Sequence, residues 1–138
     1  MPHLTLEYSA NLDHAPVDFH ALCQALAQCL IDQHDDGAAV YPIGGVRVRA
    51  LAATHYCIAD GTQEAGFVHG CLKIGAGRSE AVRKATGEAL FDVMKKHFAA
   101  LYAQTGLALS LEIIESNEAS SWKHNNLHAR FRHLASAS

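Results

Sequence analysis

The sequence predicts an α/β fold, classed as α+β by some schemes, in which two tandem β-α-β repeats form one four-stranded mixed sheet with two helices on one face. Apolar residues alternate in residues 3–8 and again in 107–114, as in half-buried strands. Two longer segments between the strands carry apolar residues at a helical period. Because the order strand, helix, strand occurs twice, the strands within each repeat should be parallel with a right-handed crossover.

The elements of the first repeat follow from these patterns. Its first strand covers residues 3–8, and residues 9–16, which include Asn, Asp and Pro, form a connection. A helix is predicted over residues 17–34, with Gly37 at or just beyond its end. The second strand is predicted over residues 46–53, and residues 55–57 are expected to extend it.

The second repeat starts after residues 59–64, a polar stretch with an Asp-Gly turn pair. Residues 66–74 form a strand, which the Gly75-Ala76-Gly77 segment ends. Ser79 is suited to cap a helix that runs to about Ala103. The last strand is predicted over residues 107–114.

The chain length fits a single domain, predicted over residues 1–131. The repeats occupy about residues 2–57 and 65–115. A C-terminal arm, residues 116–131, contains apolar side chains and is expected to pack in part on a neighbouring subunit, and residues 132–138 form a tail. With both helices on one face of the sheet, oligomerisation should cover the opposite face.

Composition and charge exclude several function classes. Hydrophobic residues make up 49 % and charged residues 18 % of the chain, and the net charge is -3. Scattered Lys and Arg residues give no basic face for nucleic acid. No apolar run is long enough to span a membrane, and the N-terminus lacks the features of a signal peptide. We therefore expect a cytoplasmic protein with no membrane or nucleic-acid partner.

The cysteines and histidines do not indicate a metal centre. The four cysteines show no CxxC spacing, which fits reduced thiols rather than a disulfide framework. His124 and His128 have the i, i+4 spacing of a helical ligand pair. Because no Cys or carboxylate cluster lies at a matching spacing, we predict no metal site.

Pro2 is the most informative residue for chemistry. It follows Met1, which methionine aminopeptidase usually removes before a small residue, so the mature chain should begin with proline. A free secondary amine at a fixed place can act as a general base if its surroundings lower its pKa toward the working pH. Pro2 also opens the first predicted strand, which carries the amine into the folded core.

Two arginines could join Pro2 at one end of the sheet. Arg47 begins the second strand of the first repeat, and Arg78 follows the first strand of the second repeat. If the repeats pack antiparallel, strand starts of one lie near strand ends of the other, which brings Arg78 close to Pro2. Gly75 and Gly77 permit a sharp turn, and the helix that starts at Ser79 points backbone N–H groups toward any anion held there.

The chain resembles the 5-carboxymethyl-2-hydroxymuconate delta-isomerase family of the tautomerase superfamily over residues 2–131. The resemblance departs in residues 9–40, which make a longer segment than usual, and after Phe131. It is carried by the following blocks: Met-Pro-His at the start, Gly45-Val46-Arg47-Val48-Arg49, Ala59-Asp60-Gly61, Phe67-Val68-His69, Leu72-Lys73-Ile74-Gly75-Ala76-Gly77-Arg78-Ser79, His97-Phe98-Ala99-Ala100-Leu101, Leu107-Ala108-Leu109-Ser110 and Asn125-Asn126-Leu127-His128-Ala129.

The resemblance implies a tautomerase-like homotrimer that acts in the bacterial breakdown of homoprotocatechuate. The family's catalytic proline falls on Pro2, and its substrate-binding arginines fall on Arg47 and Arg78. Arg49, on the same strand face as Arg47, is a further candidate. The implied substrate is a small polycarboxylate dienol, and no cofactor is required because the conjugation of the substrate delocalises the electrons.

Two other functions remain open at this point. Relatives in the superfamily use the same proline for dehalogenation by hydration or for decarboxylation. A trimeric binding protein without catalytic activity would keep the pocket but not turn over substrate. An assay with 5-carboxymethyl-2-hydroxymuconate separates these alternatives.

Overall fold

The computed structural model describes residues 1–137, with side chains described through Arg132. Ser138, the last residue of the predicted tail, lies outside the described residues. Short 3-10 turns occur at Ala10–His14, Ile43–Gly45 and Glu118–Ser120. The strands and helices are β1 (His3–Ser9), α1 (Phe19–Ile31), β2 (His34–Asp35), β3 (Ala38–Ala39), β4 (Arg47–Ala53), β5 (Ala65–Gly75), α2 (Glu80–His97), α3 (Ala99–Gln104), β6 (Gly106–Ser116) and α4 (Leu127–Ala137).

The main sheet confirms the predicted four-stranded mixed architecture. Its strand order is β4-β1-β5-β6. β1 is parallel to β4, and β5 is parallel to β6, so each repeat contributes a parallel pair. β1 and β5 are antiparallel and join the two repeats at the centre of the sheet. The first strand of the chain is therefore flanked on both sides.

The core lies between one face of the sheet and the helices α1 and α2. Alternation along β1 turns Leu4 and Leu6 toward the helices, where both are completely buried. Leu22 of α1 and Leu90 of α2 belong to the same buried cluster. The side chain of Asp18 caps α1 by accepting a hydrogen bond from the backbone N–H of Ala21 at 2.9 Å.

The segment after α1 differs from the prediction. The helix ends at Ile31, three residues early, and β2 and β3 then form a small antiparallel hairpin. Asp36 and Gly37 connect the two strands with φ values of 50° and 79°. Two successive residues with positive φ are typical of a tight hairpin turn, and Asp-Gly is a preferred pair for it. The Asp-Gly pair was therefore the signal for a hairpin rather than a helix end.

Two other element boundaries were predicted wrongly. Residues 55–57 do not extend β4. The neighbouring strand β1 ends at Ser9, which pairs with Ala53, and a 3-10 turn follows, so β4 has no strand to pair with beyond Ala53. The second long helix is interrupted at Phe98, which separates α2 from α3. Phe98 is 1 % exposed, and the chain bends there while its ring stays in the core.

The face of the sheet opposite α1 and α2 is open in the single chain. It carries a mixture of charged, polar and apolar side chains from all four strands. Leu51 on β4 is 53 % exposed, and Ile114 on β6 is 41 % exposed. None of the helices in residues 1–137 is long and apolar enough to cross a membrane.

Candidate active site

The N-terminus lies at the end of the central strand pair, between the start of β4 and the end of β5. Pro2 is buried, and its carbonyl oxygen accepts a hydrogen bond from the backbone N–H of Arg47 at 3.1 Å. His3 pairs with Arg47 on one side and with Lys73 on the other. Backbone pairing on both sides of β1 therefore fixes the position of the Pro2 nitrogen, and no contact of the Pro2 side chain is needed for this.

Arg47 begins β4 directly beside the N-terminus. Its side chain is partly buried, and Nη1 donates a hydrogen bond to the carbonyl oxygen of Gly44 at 3.1 Å. This contact folds the guanidinium back along the Ile43–Gly45 turn. A guanidinium has five donors in a planar arrangement, so the hydrogen bond to Gly44 leaves Arg47 with further N–H groups that can bind an anion.

Arg78 is held by two carbonyl oxygens and one aromatic ring. Its Nη1 donates to Gly75 at 3.2 Å, and its Nη2 donates to Val40 at 3.1 Å. The guanidinium carbon lies 4.7 Å from the centre of the Tyr41 ring, a cation–π contact. Tyr41 is itself fully buried, and its hydroxyl shares a 2.9 Å hydrogen bond with Thr86 of α2. The guanidinium of Arg78 is thus pre-organised.

The backbone around Arg78 has the turn that the sequence predicted. Gly77 has a φ of 113°, a conformation that residues with a side chain rarely adopt. The hydroxyl of Ser79 accepts a hydrogen bond from the N–H of Val82 at 3.2 Å and caps α2. The strand-to-helix turn therefore places Arg78 next to the end of β5, close to the N-terminus.

Arg49 takes a different position. It lies two residues along β4 on the open face of the sheet, where its Nη1 is 3.2 Å from Nδ1 of His3. Burial, together with the charges of Arg49 and Arg47, lowers the pKa of His3. A neutral His3 can accept the hydrogen bond from Arg49. The structure therefore brings Arg47 and Arg78 to the N-terminus and places Arg49 against His3.

The N-terminal amine lies in a cationic environment. Burial lowers the pKa of the Met1 amino group, and the charges of Lys123, Arg78 and Arg47 lower it further. Glu118 acts in the opposite direction and raises it. Positive neighbours disfavour the ammonium form, so an amine at this place loses its proton at a lower pH than a free amine would.

The C-terminal arm supplies residues that the sequence analysis did not find. Its helix α4 contacts the Ile43–Gly45 turn of its own chain. The expected packing of part of the arm on a neighbouring subunit stays a prediction. A Cβ at Gly44 would lie 2.7 Å from the backbone nitrogen of His128, so this contact requires glycine. The amide nitrogen Nδ2 of Asn125 is 3.2 Å from Sδ of Met1. Trp122 remains 88 % exposed.

Comparison with known proteins finds relatives that match almost the whole chain. A sequence profile of the 5-carboxymethyl-2-hydroxymuconate isomerase family matches residues 2–131. The chain is 38 % identical over 132 residues to the 5-carboxymethyl-2-hydroxymuconate Delta-isomerase of Escherichia coli, covering 96 % of this chain and 100 % of that protein.

Two crystal structures are also similar to this chain. One, of a 5-carboxymethyl-2-hydroxymuconate delta-isomerase, superposes with a TM-score of 0.88 at 40 % identity, covering 95 % of this chain and 93 % of the other. A second, of a 5-carboxymethyl-2-hydroxymuconate isomerase from Deinococcus radiodurans R1, gives 0.85 at 49 % identity and covers 95 % and 94 %. Similarity over nearly the full length of each relative shows that this chain belongs to the 5-carboxymethyl-2-hydroxymuconate isomerase family.

Proposed function

We propose that this protein converts 5-carboxymethyl-2-hydroxymuconate to its 2-oxo-3-ene isomer, with the amine of Pro2 as general base and Arg47 and Arg78 as substrate-binding groups. The observation that carries the proposal is the convergence of both arginines on a terminus fixed by the central strand of the sheet. In this proposal the reaction serves the breakdown of homoprotocatechuate in the cytoplasm. All four cysteines are free thiols, which fits a reducing compartment.

The proposed reaction moves one proton and shifts two double bonds. The Pro2 nitrogen takes the proton from the 2-hydroxyl group, and the electrons of that O–H bond form the carbonyl at C2. The C2–C3 double bond moves to C3–C4, and the electrons of the C4–C5 double bond take up a proton at C5. The prolinium ion returns the proton, so the enzyme is unchanged and no oxidant, metal or cofactor takes part.

The arginines bind the substrate and stabilise its charge. A planar guanidinium matches a carboxylate with two parallel hydrogen bonds. Negative charge moves onto the 2-oxygen when it loses its proton, and a guanidinium facing that oxygen lowers the energy of the transition state. Because Arg78 is already fixed by Gly75, Val40 and Tyr41, little reorganisation is needed when substrate binds.

The proposal requires a free amine at Pro2. While Met1 is attached, the Pro2 nitrogen is part of an amide and has no basic lone pair. We therefore expect the active protein to begin at Pro2. Mass spectrometry of protein purified from its natural host checks this, and a fully active sample that retains Met1 would contradict the mechanism.

The activity should depend on pH in a defined direction. A general base works when unprotonated, so kcat/KM should rise with pH through the pKa of the amine. Met1 and Pro2 are adjacent, so we expect the charges that lower the pKa of the Met1 amine to act in the same direction on the Pro2 amine of the mature chain. The midpoint should therefore lie below that of an unperturbed secondary amine. A pH–rate profile measures the midpoint.

Two variants with opposite expected effects test which charges shift the midpoint of the pH–rate profile. Lys123→Gln removes a charge that lowers the pKa and should move the midpoint of the profile up. Glu118→Gln removes the charge that raises the pKa and should move it down. Midpoints that stay unchanged in both variants would show that the titrating group is not the N-terminal amine.

We also propose that the protein is a homotrimer that covers the open face of the sheet. Leu51 and Ile114 on this face are large apolar side chains left in contact with solvent in the single chain. Burying such residues in an interface is favourable by about 25 cal/mol per Å² of apolar surface. Sedimentation equilibrium at micromolar concentration should give three times the subunit mass. A stable monomer would contradict this proposal.

A further inference from the structure

The C-terminal arm lies against the N-terminus and contributes polar groups that the proposed reaction has not yet used. The side chain of Asn125 is oriented by a local hydrogen bond, in which its Oδ1 accepts from the backbone N–H of Leu127 at 3.0 Å. This leaves its amide N–H groups directed toward Met1, with Nδ2 3.2 Å from Sδ. Because Met1 precedes Pro2 in the chain, removal of Met1 takes away the group that these donors contact and leaves them near the new N-terminus.

Lys123 is the second polar group of the arm at this place. Its Nζ forms an ion pair with Oε2 of Glu118 at 3.2 Å, and 36 % of its side chain is exposed. Of the charged side chains near the N-terminus, Lys123 has the strongest effect on the Met1 amine, ahead of Arg78 and Arg47. It is therefore a third cation at the candidate active site.

The carboxylate of Glu118 shows that this place accommodates an anion. Its Oε1 lies so close over Gly75 that an added Cβ would collide with it, and Nη1 of Arg78 would be 4.0 Å from the same Cβ. A carboxylate thus lies between the turn that holds Arg78 and the ammonium of Lys123. This side chain therefore marks a place at which the carboxylate of a ligand could be bound.

The proposed substrate carries three carboxylates, one more than the two arginines account for. The two terminal carboxylates lie in the plane of the conjugated diene. The third is attached through a tetrahedral carbon and turns out of that plane. Arg47 begins β4 and Arg78 follows β5, whereas Lys123 and Asn125 belong to the separate segment between β6 and α4.

We propose that Lys123 and Asn125 form a third carboxylate subsite, which binds the carboxymethyl group of the substrate and selects for tricarboxylates. This inference rests on the proposed function and deepens it. Lys123 supplies the charge, and the fixed amide of Asn125 supplies a directed hydrogen bond. Glu118 releases Lys123 when the substrate carboxylate takes its place.

The test compares two substrates that differ only in the carboxymethyl group, 5-carboxymethyl-2-hydroxymuconate and 2-hydroxymuconate. Rates are measured on the high-pH plateau, where the amine is unprotonated in every variant. Lys123→Gln should lower kcat/KM for the tricarboxylate about tenfold, a value at the low end for a charged hydrogen bond because the lysine is partly exposed. The loss should appear mainly in KM, and kcat/KM for the dicarboxylate should fall much less.

Asn125→Asp has nearly the same size and reverses the effect of the amide by placing a negative charge at the subsite. This variant should also lower kcat/KM for the tricarboxylate more than for the dicarboxylate. Lys96→Gln is the matched control: it breaks a surface ion pair with Asp92 of 2.8 Å on α2, away from the N-terminus, and should leave both substrates unaffected. Glu118→Gln removes the competing carboxylate and should not lower kcat/KM for the tricarboxylate.

Three outcomes would overturn the inference. If Lys123→Gln lowers kcat/KM equally for both substrates, or for neither, Lys123 does not recognise the carboxymethyl group. If Glu118→Gln reproduces the loss, the ion pair only holds the arm in place. These results leave the proposed function intact, whereas a wild-type protein inactive toward both substrates would overturn the function and the subsite together.

Discussion

Replacing Pro2 with alanine is expected to lower kcat by about two to four orders of magnitude, the usual contribution of a general base. The fold should not change, because the hydrogen bond from Arg47 goes to the carbonyl oxygen of residue 2, which alanine retains. Alanine still permits removal of Met1, but it leaves a primary amine with a different basicity and without the ring that fixes its direction. Steady-state kinetics with 5-carboxymethyl-2-hydroxymuconate measure the effect.

Two controls make this result interpretable. A chain that keeps Met1 ahead of Pro2 contains every side chain of the site and should be inactive, because only the basic nitrogen is lost. Pro16→Ala changes an exposed proline in the connection before α1 and should keep full activity. If the Pro2→Ala protein, with its N-terminus verified by mass spectrometry, retained wild-type kcat, Pro2 would not be the base.

Replacing Arg78 with alanine should have the second largest effect, a loss of about two to three orders of magnitude in kcat/KM. This is the range seen when a donor to a developing negative charge is removed. The substitution also leaves the carbonyl oxygens of Val40 and Gly75 without the donors that they have in the wild type. Thermal unfolding of the same samples therefore has to accompany the kinetics.

Arg78→Lys is the matched comparison. It keeps the charge but has a single ammonium, which cannot span two carbonyl oxygens and bind a carboxylate in a bidentate manner. Its kcat/KM should lie between those of the wild type and Arg78→Ala. Wild-type kcat/KM in a folded Arg78→Ala protein would show that Arg78 has only a structural role.

The sequence was sufficient to predict the sheet because local patterns and simple topology determine it. Alternation placed β1 and β6, and the two strand–helix–strand units required parallel pairs. The approach of Arg78 to Pro2 followed from antiparallel packing of the two repeats, which the register of β1 and β5 confirms. Arg47 lies beside the N-terminus because β1 and β4 are parallel and in register. The catalytic and binding roles of these three residues remain predictions.

The parts that were missed depend on contacts far apart in the sequence. The hairpin of β2 and β3 brings Val40 to Arg78, a contact over 38 positions that no periodic pattern indicates. The arm between β6 and α4 has neither alternation nor helical period, so no local pattern indicated that Lys123 and Asn125 lie near the N-terminus. Their position depends on the docking of α4 on Gly44, a steric fit between two backbones.

The way Met1 is packed has a consequence for the timing of protein maturation. In the folded chain its side chain contacts Asn125, and the bond to be cleaved adjoins the buried Pro2. A peptidase needs an extended, accessible end, and in the folded chain Met1 is only partly exposed. We therefore expect the initiator to be removed more readily during synthesis, before Asn125 has packed against it, and a folded chain that retains Met1 should be inactive.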